Sequence, residues 1–140
     1  MVRTTEMGAG VDTSVLVRLL TGCPEPLAAA AKEFLFEMET AGTPVFVSNL
    51  VIAEAYFACQ HHYGISKRDV LDGLLSLLSQ PTFQVHQDLL ELLALPDLET
   101  AKPGFLDRLI HAEYTQSSLP LVTFEKAATR LPGAHVLMVE

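Results

Sequence analysis

Val11-Asp12-Thr13-Ser14-Val15-Leu16-Val17-Arg18-Leu19-Leu20 decides how this chain is read. A short extended segment, residues 8–11, delivers a carboxylate to the point where a helix, residues 13–20, begins. Asp, Thr and Ser are all good helix N-caps, and a cap contributes about 1 kcal/mol. Asp12 is therefore either a cap or a site residue, and both hold if Thr13 or Ser14 caps while Asp12 points outward. In open parallel sheets, sites form beyond the carboxyl ends of strands, where this residue stands.

Outward from that stretch, strand-like and helical segments alternate to the end of the chain. Thr21-Gly22-Cys23-Pro24 stops the first helix. Pro26 suits the start of the next, and good helix formers continue over 27–40 until Gly42. Residues 44–47 read as a buried strand, and Ser48 or Asn49 caps a helix running to about residue 63. Ser66 with Asp69 makes a capping box for a helix reaching about residue 80. Residues 82–85 alternate as a strand, and 88–95 are helical until Pro96. Pro103 suits the first turn of a helix over 103–117. A strand at 120–123, a short helix at 125–130 and a strand at 135–139 complete the chain. The pattern predicts one α/β domain, with a mainly parallel sheet of about five strands and about seven helices.

The chain has 140 residues, enough for one core. Its 49% hydrophobic and 19% charged composition excludes disorder. No apolar run reaches the roughly 18–20 residues of a membrane span. Residues 1–10 lack an apolar signal core, so neither signal peptide nor anchor is expected; a second start at Met7 would leave residues 1–6 as a loose leader. Cys23 and Cys59 form no disulfide framework and read as free buried thiols of a cytoplasmic protein. The net charge of −8 argues against a broad nucleic-acid surface and suits a cation or a basic protein partner.

Three more acidic residues stand out. Glu54 lies within Leu50-Val51-Ile52-Ala53-Glu54-Ala55-Tyr56-Phe57-Ala58-Cys59. Its neighbours three and four positions away are all apolar, so nothing local neutralises it. A buried carboxylate there needs a distant cation, a metal or a proton; the alternative is an exposed Glu at the edge of the stripe. Asp107 interrupts Phe105-Leu106-Asp107-Arg108-Leu109-Ile110-His111, where pairing with His111 four residues on is the plainer reading. Glu125 follows the strand Leu121-Val122-Thr123-Phe124, where an acid in a first helical turn is favoured by the macrodipole alone. Gathered together, four carboxylates would repel one another; at an effective dielectric of about 20, a pair 4 Å apart costs roughly 4 kcal/mol. Such a cluster persists by binding protons or cations, and all-oxygen ligation favours Mg²⁺ or Mn²⁺ over Zn²⁺.

These pieces resemble the PIN-domain ribonucleases, and among them the VapC-like toxins of bacterial type II toxin–antitoxin pairs. The matching segments are Val11-Asp12-Thr13-Ser14-Val15-Leu16, Val47-Ser48 leading to Ile52-Ala53-Glu54, Phe105-Leu106-Asp107, and Leu121-Val122-Thr123-Phe124-Glu125 with Arg130-Leu131-Pro132-Gly133 behind it. The resemblance covers nearly the whole chain. It implies a single PIN-like domain that hydrolyses RNA phosphodiester bonds with a metal-activated water at an acidic cluster. Asp12, Glu54 and Asp107 would be the core ligands of Mg²⁺ or Mn²⁺ and the catalytic residues. Glu125 takes a fourth position where many members carry Asp. Thr13, Ser14 and Thr123 would be the hydrogen-bonding groups that orient those ligands. The resemblance also implies homodimers and inhibition by a separate protein antitoxin whose tail enters the active groove.

An acidic protein with an acidic substrate needs local help. Arg18, Arg108, Lys126 and Arg130 lie near the motifs, although ordinary surface charge is the plainer reading of each. His61-His62 beside Cys59 lacks an evident fourth ligand for Zn²⁺, and Phe34, Phe36, Tyr56 and Phe57 read as core or dimer packing. Two other functions compete. A catalytically weak or inactive PIN-fold binding protein is kept open by Glu125 in place of Asp. A phosphatase-like hydrolase with Asp12 as nucleophile is disfavoured because Ser14 stands where that class has a second Asp.

Overall fold

The computed structural model describes residues 7–139, so the expected leader at residues 1–6 lies outside the described residues. The fold is α/β, with six α-helices and parallel strands among the described residues. It divides into two compact units, one ending at His86 and the other beginning at Gln87.

In the first unit, β1 (Ala9–Gly10), β2 (Val45–Phe46) and β3 (Phe83–Gln84) form a parallel sheet in chain order. The register pairs Ala9 with Val45 and Val45 with Phe83. Gly8, which leads into β1, has φ of 118°, and a side chain there would run into the Pro44 carbonyl and the Phe46 ring. Only glycine permits both that backbone and that approach. The helices are α1 (Thr13–Thr21), α2 (Glu25–Ala41), α3 (Asn49–His61) and α4 (Lys67–Leu78). Helix α1 is the hub, packing against α2, α3 and α4. Its Leu16 is wholly inaccessible, as are Val45, Ile52, Ala55 and Leu74. Such a side chain gains about 1.5–3 kcal/mol from burial. Gly22 ends α1 in the left-handed region with φ of 71°, its N–H bonded to the Arg18 carbonyl.

The second unit holds α5 (Gln87–Leu93), α6 (Phe105–Gln116), β4 (Val122–Thr123) and β5 (His135–Val136). Helices α5 and α6 pack together around Leu89, Leu93, Phe105 and Leu109. Strands β4 and β5 pair in parallel, Val122 with His135.

The predicted elements all occur, with four differences. The five described strands hydrogen-bond as sheets of three and two, not one sheet of five. The expected seventh helix is a 3₁₀ helix, Lys126–Arg130, too short and too tightly wound for an α-turn ladder. A further 3₁₀ helix, Leu98–Thr100, lies where the sequence pattern predicts no element. Pro103 is not in the first turn of α6: it precedes the cap Gly104, is fully buried, and its carbonyl accepts from Arg108 Nε at 2.7 Å. Of the two cysteines expected to be buried, Cys59 is and Cys23 is exposed. Among the described residues no helix is long and apolar enough to cross a membrane.

Candidate functional site

Asp12 is itself the N-cap of α1, the first of the alternatives its sequence offers, and the cap is neither Thr13 nor Ser14. Its extended backbone turns the carboxylate back over the first turn. Oδ1 accepts the Ser14 hydroxyl at 2.6 Å and the Val15 N–H at 3.2 Å. Those bonds, the Ser14 hydroxyl first and the Val15 N–H second, hold the Asp12 carboxyl below its ordinary value of 3.8. The positive end of the α1 dipole acts in the same direction. Asp12 is exposed, and these bonds favour its ionised form. An ionised carboxylate offers about four lone-pair sites, and both bonds fall on one oxygen.

Glu54 sits on α3, capped by Ser48, whose Oγ accepts the Val51 N–H. It is exposed, so the buried charge expected from its apolar neighbours does not exist. The reason is that the neighbours are open too: Leu50 is 70% and Phe57 53% exposed. The outer face of α3 carries an unusual apolar patch, with the Phe57 and His61 rings 4.0 Å apart between centroids. Phe36 is likewise exposed and not core, whereas Tyr56 is buried. Glu54 and Thr13 line one cavity of about 380 Å³, together with Ala53, Phe57, Ala58 and His62. Within this unit, therefore, the helix begun by Asp12 lies against the helix of Glu54.

In the second unit Asp107 is exposed in the first turn of α6. The pairing with His111 does not form: His111 Nε2 is 2.6 Å from the Pro132 carbonyl. Glu125 is exposed and caps the last 3₁₀ helix, Oε1 accepting the Ala127 N–H at 3.1 Å. Thr123 accepts the Glu125 backbone N–H at 3.0 Å, so it orients the main chain and not the carboxylate. Arg108 Nε and Arg130 Nη1 donate to the Pro103 and Lys102 carbonyls, so these two, whose plainer reading was ordinary surface charge, hold a loop.

Among the described residues no three His, Cys, Asp or Glu side chains are placed to hold one metal ion. Each of the four carboxylates, two in either unit, is exposed and offers the oxygen donors that a hard divalent cation takes. None of the four is a partner in the Arg68–Asp72 ion pair, which draws on other residues. The residue that sequence reading undervalued is Arg18. Its Nη1 donates to the Tyr63 hydroxyl at 3.0 Å, while its Nε is buried without a hydrogen-bond partner. Nothing in the sequence signals that pairing, which spans 45 positions.

The PIN domain family model matches residues 10–134, so the chain belongs to the PIN domain family. That match takes in nearly the whole chain, both compact units included. PIN domains are generally nucleases, and they typically use divalent metals. No curated protein and no solved structure matches the chain.

Proposed function

We propose that this chain is a metal-dependent endoribonuclease, the toxin of a toxin–antitoxin pair, with Asp12, Glu54, Asp107 and Glu125 as the acidic residues that bind Mg²⁺ or Mn²⁺. The observation that carries the reading is Asp12 within a PIN-family chain: an exposed carboxylate kept ionised where a strand hands over to a helix. A cation bound there would supply positive charge against the negative charge that develops at phosphorus, and acidify water. The chain's own residues do the rest. Ser14 fixes the rotamer of Asp12 through its 2.6 Å bond, leaving less of the carboxylate's freedom to be lost on binding. Thr13 shares the cavity of Glu54 and borders any group bound there. Thr123 stiffens the turn that presents Glu125. A cytoplasmic homodimer, held inactive by a protein antitoxin, belongs to the same reading and rests on the resemblance alone.

A second reading, a binding protein without catalysis, draws support from the lack of a three-ligand cluster among the described residues. Cleavage of a mixed RNA pool with Mg²⁺ or Mn²⁺ separates the two. The nuclease reading expects metal-dependent cleavage that disappears in Asp12→Asn and Glu54→Gln. Metal binding and RNA binding without cleavage would favour the second.

A further inference from the structure

In the second unit, two side chains tie the segment that Glu125 opens to the helix that carries Asp107. Arg130 is the last residue of the 3₁₀ helix capped by Glu125. Its Nη1 donates to the Lys102 carbonyl at 3.2 Å, across 28 positions of chain. Lys102 stands just before Pro103 and Gly104, the entry of α6, whose first turn holds Asp107. About one helical turn on from Asp107, His111 Nε2 lies 2.6 Å from the carbonyl of Pro132, just past Arg130. A carbonyl only accepts, so Nε2 carries the proton of that bond. The two bonds run in opposite directions: one from the 3₁₀ helix to the entry of α6, the other from α6 to the turn behind the 3₁₀ helix.

The span between Glu125 and this fastening is continuously bonded. The Glu125 carbonyl accepts the Ala128 N–H at 3.1 Å, and the Ala128 carbonyl accepts the Leu131 N–H at 2.9 Å. Ala128 and Leu131 are buried. A displacement at Arg130 is therefore passed back to the backbone of Glu125. The far end of the tie is fixed as well: Pro103 is fully buried, and its carbonyl is taken by Arg108. A five-residue 3₁₀ helix has poorer hydrogen-bond geometry than an α-helix and depends on such outside contacts to hold its shape. Arg130 itself is exposed, so it adds little to the core.

We infer that Arg130 is a positioning residue for Glu125: by gripping the entry of α6, it fixes how the segment tied to the Asp107 helix presents the Glu125 carboxylate. The inference rests on the metal site proposed above and adds a residue that acts through Glu125 and not on the cation.

The test on the full chain has one readout without metal and one with it. The Ala127 N–H is bonded by Glu125 Oε1, so its amide hydrogen exchange reports the held carboxylate. Without metal, that exchange should quicken about fivefold in Arg130→Gln, while the Leu109 amide of α6 keeps its rate. Arg130→Lys keeps a donor and should return Ala127 to within about twofold of wild type. In calorimetric titration, Mn²⁺ affinity should fall about fivefold in Arg130→Gln, and adding that change to Glu125→Gln should weaken binding no further. Melting curves confirm folding; if Arg130→Gln fails to fold, Arg130→Met, which keeps the stem, takes its place. Wild-type exchange at Ala127 in the folded variant overturns the inference. So does equal quickening at Ala127 and Leu109, which would make Arg130 a general staple. So does an equal loss of Mn²⁺ affinity with and without Glu125→Gln, which would put the effect elsewhere. Those outcomes, beside Mn²⁺ binding that Glu125→Gln weakens, overturn the inference alone. A wild type that binds no Mn²⁺, or binds it equally in Glu125→Gln, overturns the metal reading of Glu125 and the inference with it.

Discussion

Asp12 and Glu125 each stand two residues past a parallel strand, and each caps the helix that follows. Their supports differ. Asp12 opens a nine-residue α-helix, and both a hydroxyl and an N–H converge on one carboxylate oxygen. Glu125 opens a five-residue 3₁₀ helix and accepts one N–H, while its nearby threonine bonds the backbone. The short side chain is thus held at its tip, and the long one is held mainly at its root. In the metal site proposed above, a carboxylate held at its tip is favoured, because a group oriented before the cation arrives has less freedom to lose on binding. Asp12 is the better-prepared of the two, and it is where the chemistry should be most sensitive.

The largest expected effect follows directly. Asp12→Asn should lower RNA cleavage by at least about 100-fold, beyond the range typical of groups that merely support a metal ligand. Its melting temperature should hardly move, because Asn caps nearly as well as Asp. Cleavage and melting, measured side by side, separate the ligand from the cap; retained cleavage would break the comparison. Glu125→Gln should cost less, on the order of tenfold in cleavage, since that carboxylate is less firmly held. Glu125→Asp should match or exceed wild type if reach is the only issue at this position.

Ser14→Ala and Thr123→Ala sharpen the contrast further. Loss of the Ser14 hydroxyl should weaken Mn²⁺ binding about tenfold, whereas Thr123→Ala should change it by less than about threefold, both read by calorimetric titration. Equal effects would mean that holding the carboxylate is unimportant. The smallest effect is on stability. The Asp12 carboxyl lies below its unfolded value of 3.8 in the folded chain. Its ionised form therefore contributes stability above that value, and the contribution is lost as pH falls through the lowered folded value. The melting advantage of wild type over Asp12→Asn should shrink between about pH 5 and pH 2. The change should be slight, because the group is exposed. An advantage that grows on acidification would contradict the hydrogen-bonding account.

Much of this was legible in the sequence, for local reasons. Helix starts at Ser48 and Ser66 were visible because a capping oxygen acts within three residues. The strand-to-acid handovers at Asp12 and Glu125 were visible for the same reason. Exposure at Glu54 was not. An apolar run such as 50–59 reads identically whether its outer face meets a core or open space, and here Leu50 and Phe57 meet open space. The choice of Asp12 itself as the cap was hidden by three adjacent candidates of equal propensity. Pro103 looked like a first-turn residue because the spacing fits, but the Arg108 side chain binds its carbonyl and the helix starts two residues later. The Arg18–Tyr63 hydrogen bond joins residues 45 positions apart, a contact that spacing does not encode.

The most direct measurement is a Mn²⁺ titration of wild type and Asp12→Asn by calorimetry, with melting curves of both. The account predicts binding to wild type and at least a tenfold weaker affinity in Asp12→Asn, at nearly equal melting temperatures. Equal Mn²⁺ affinity in the two folded proteins would contradict it, and would leave Asp12 as a helix cap alone.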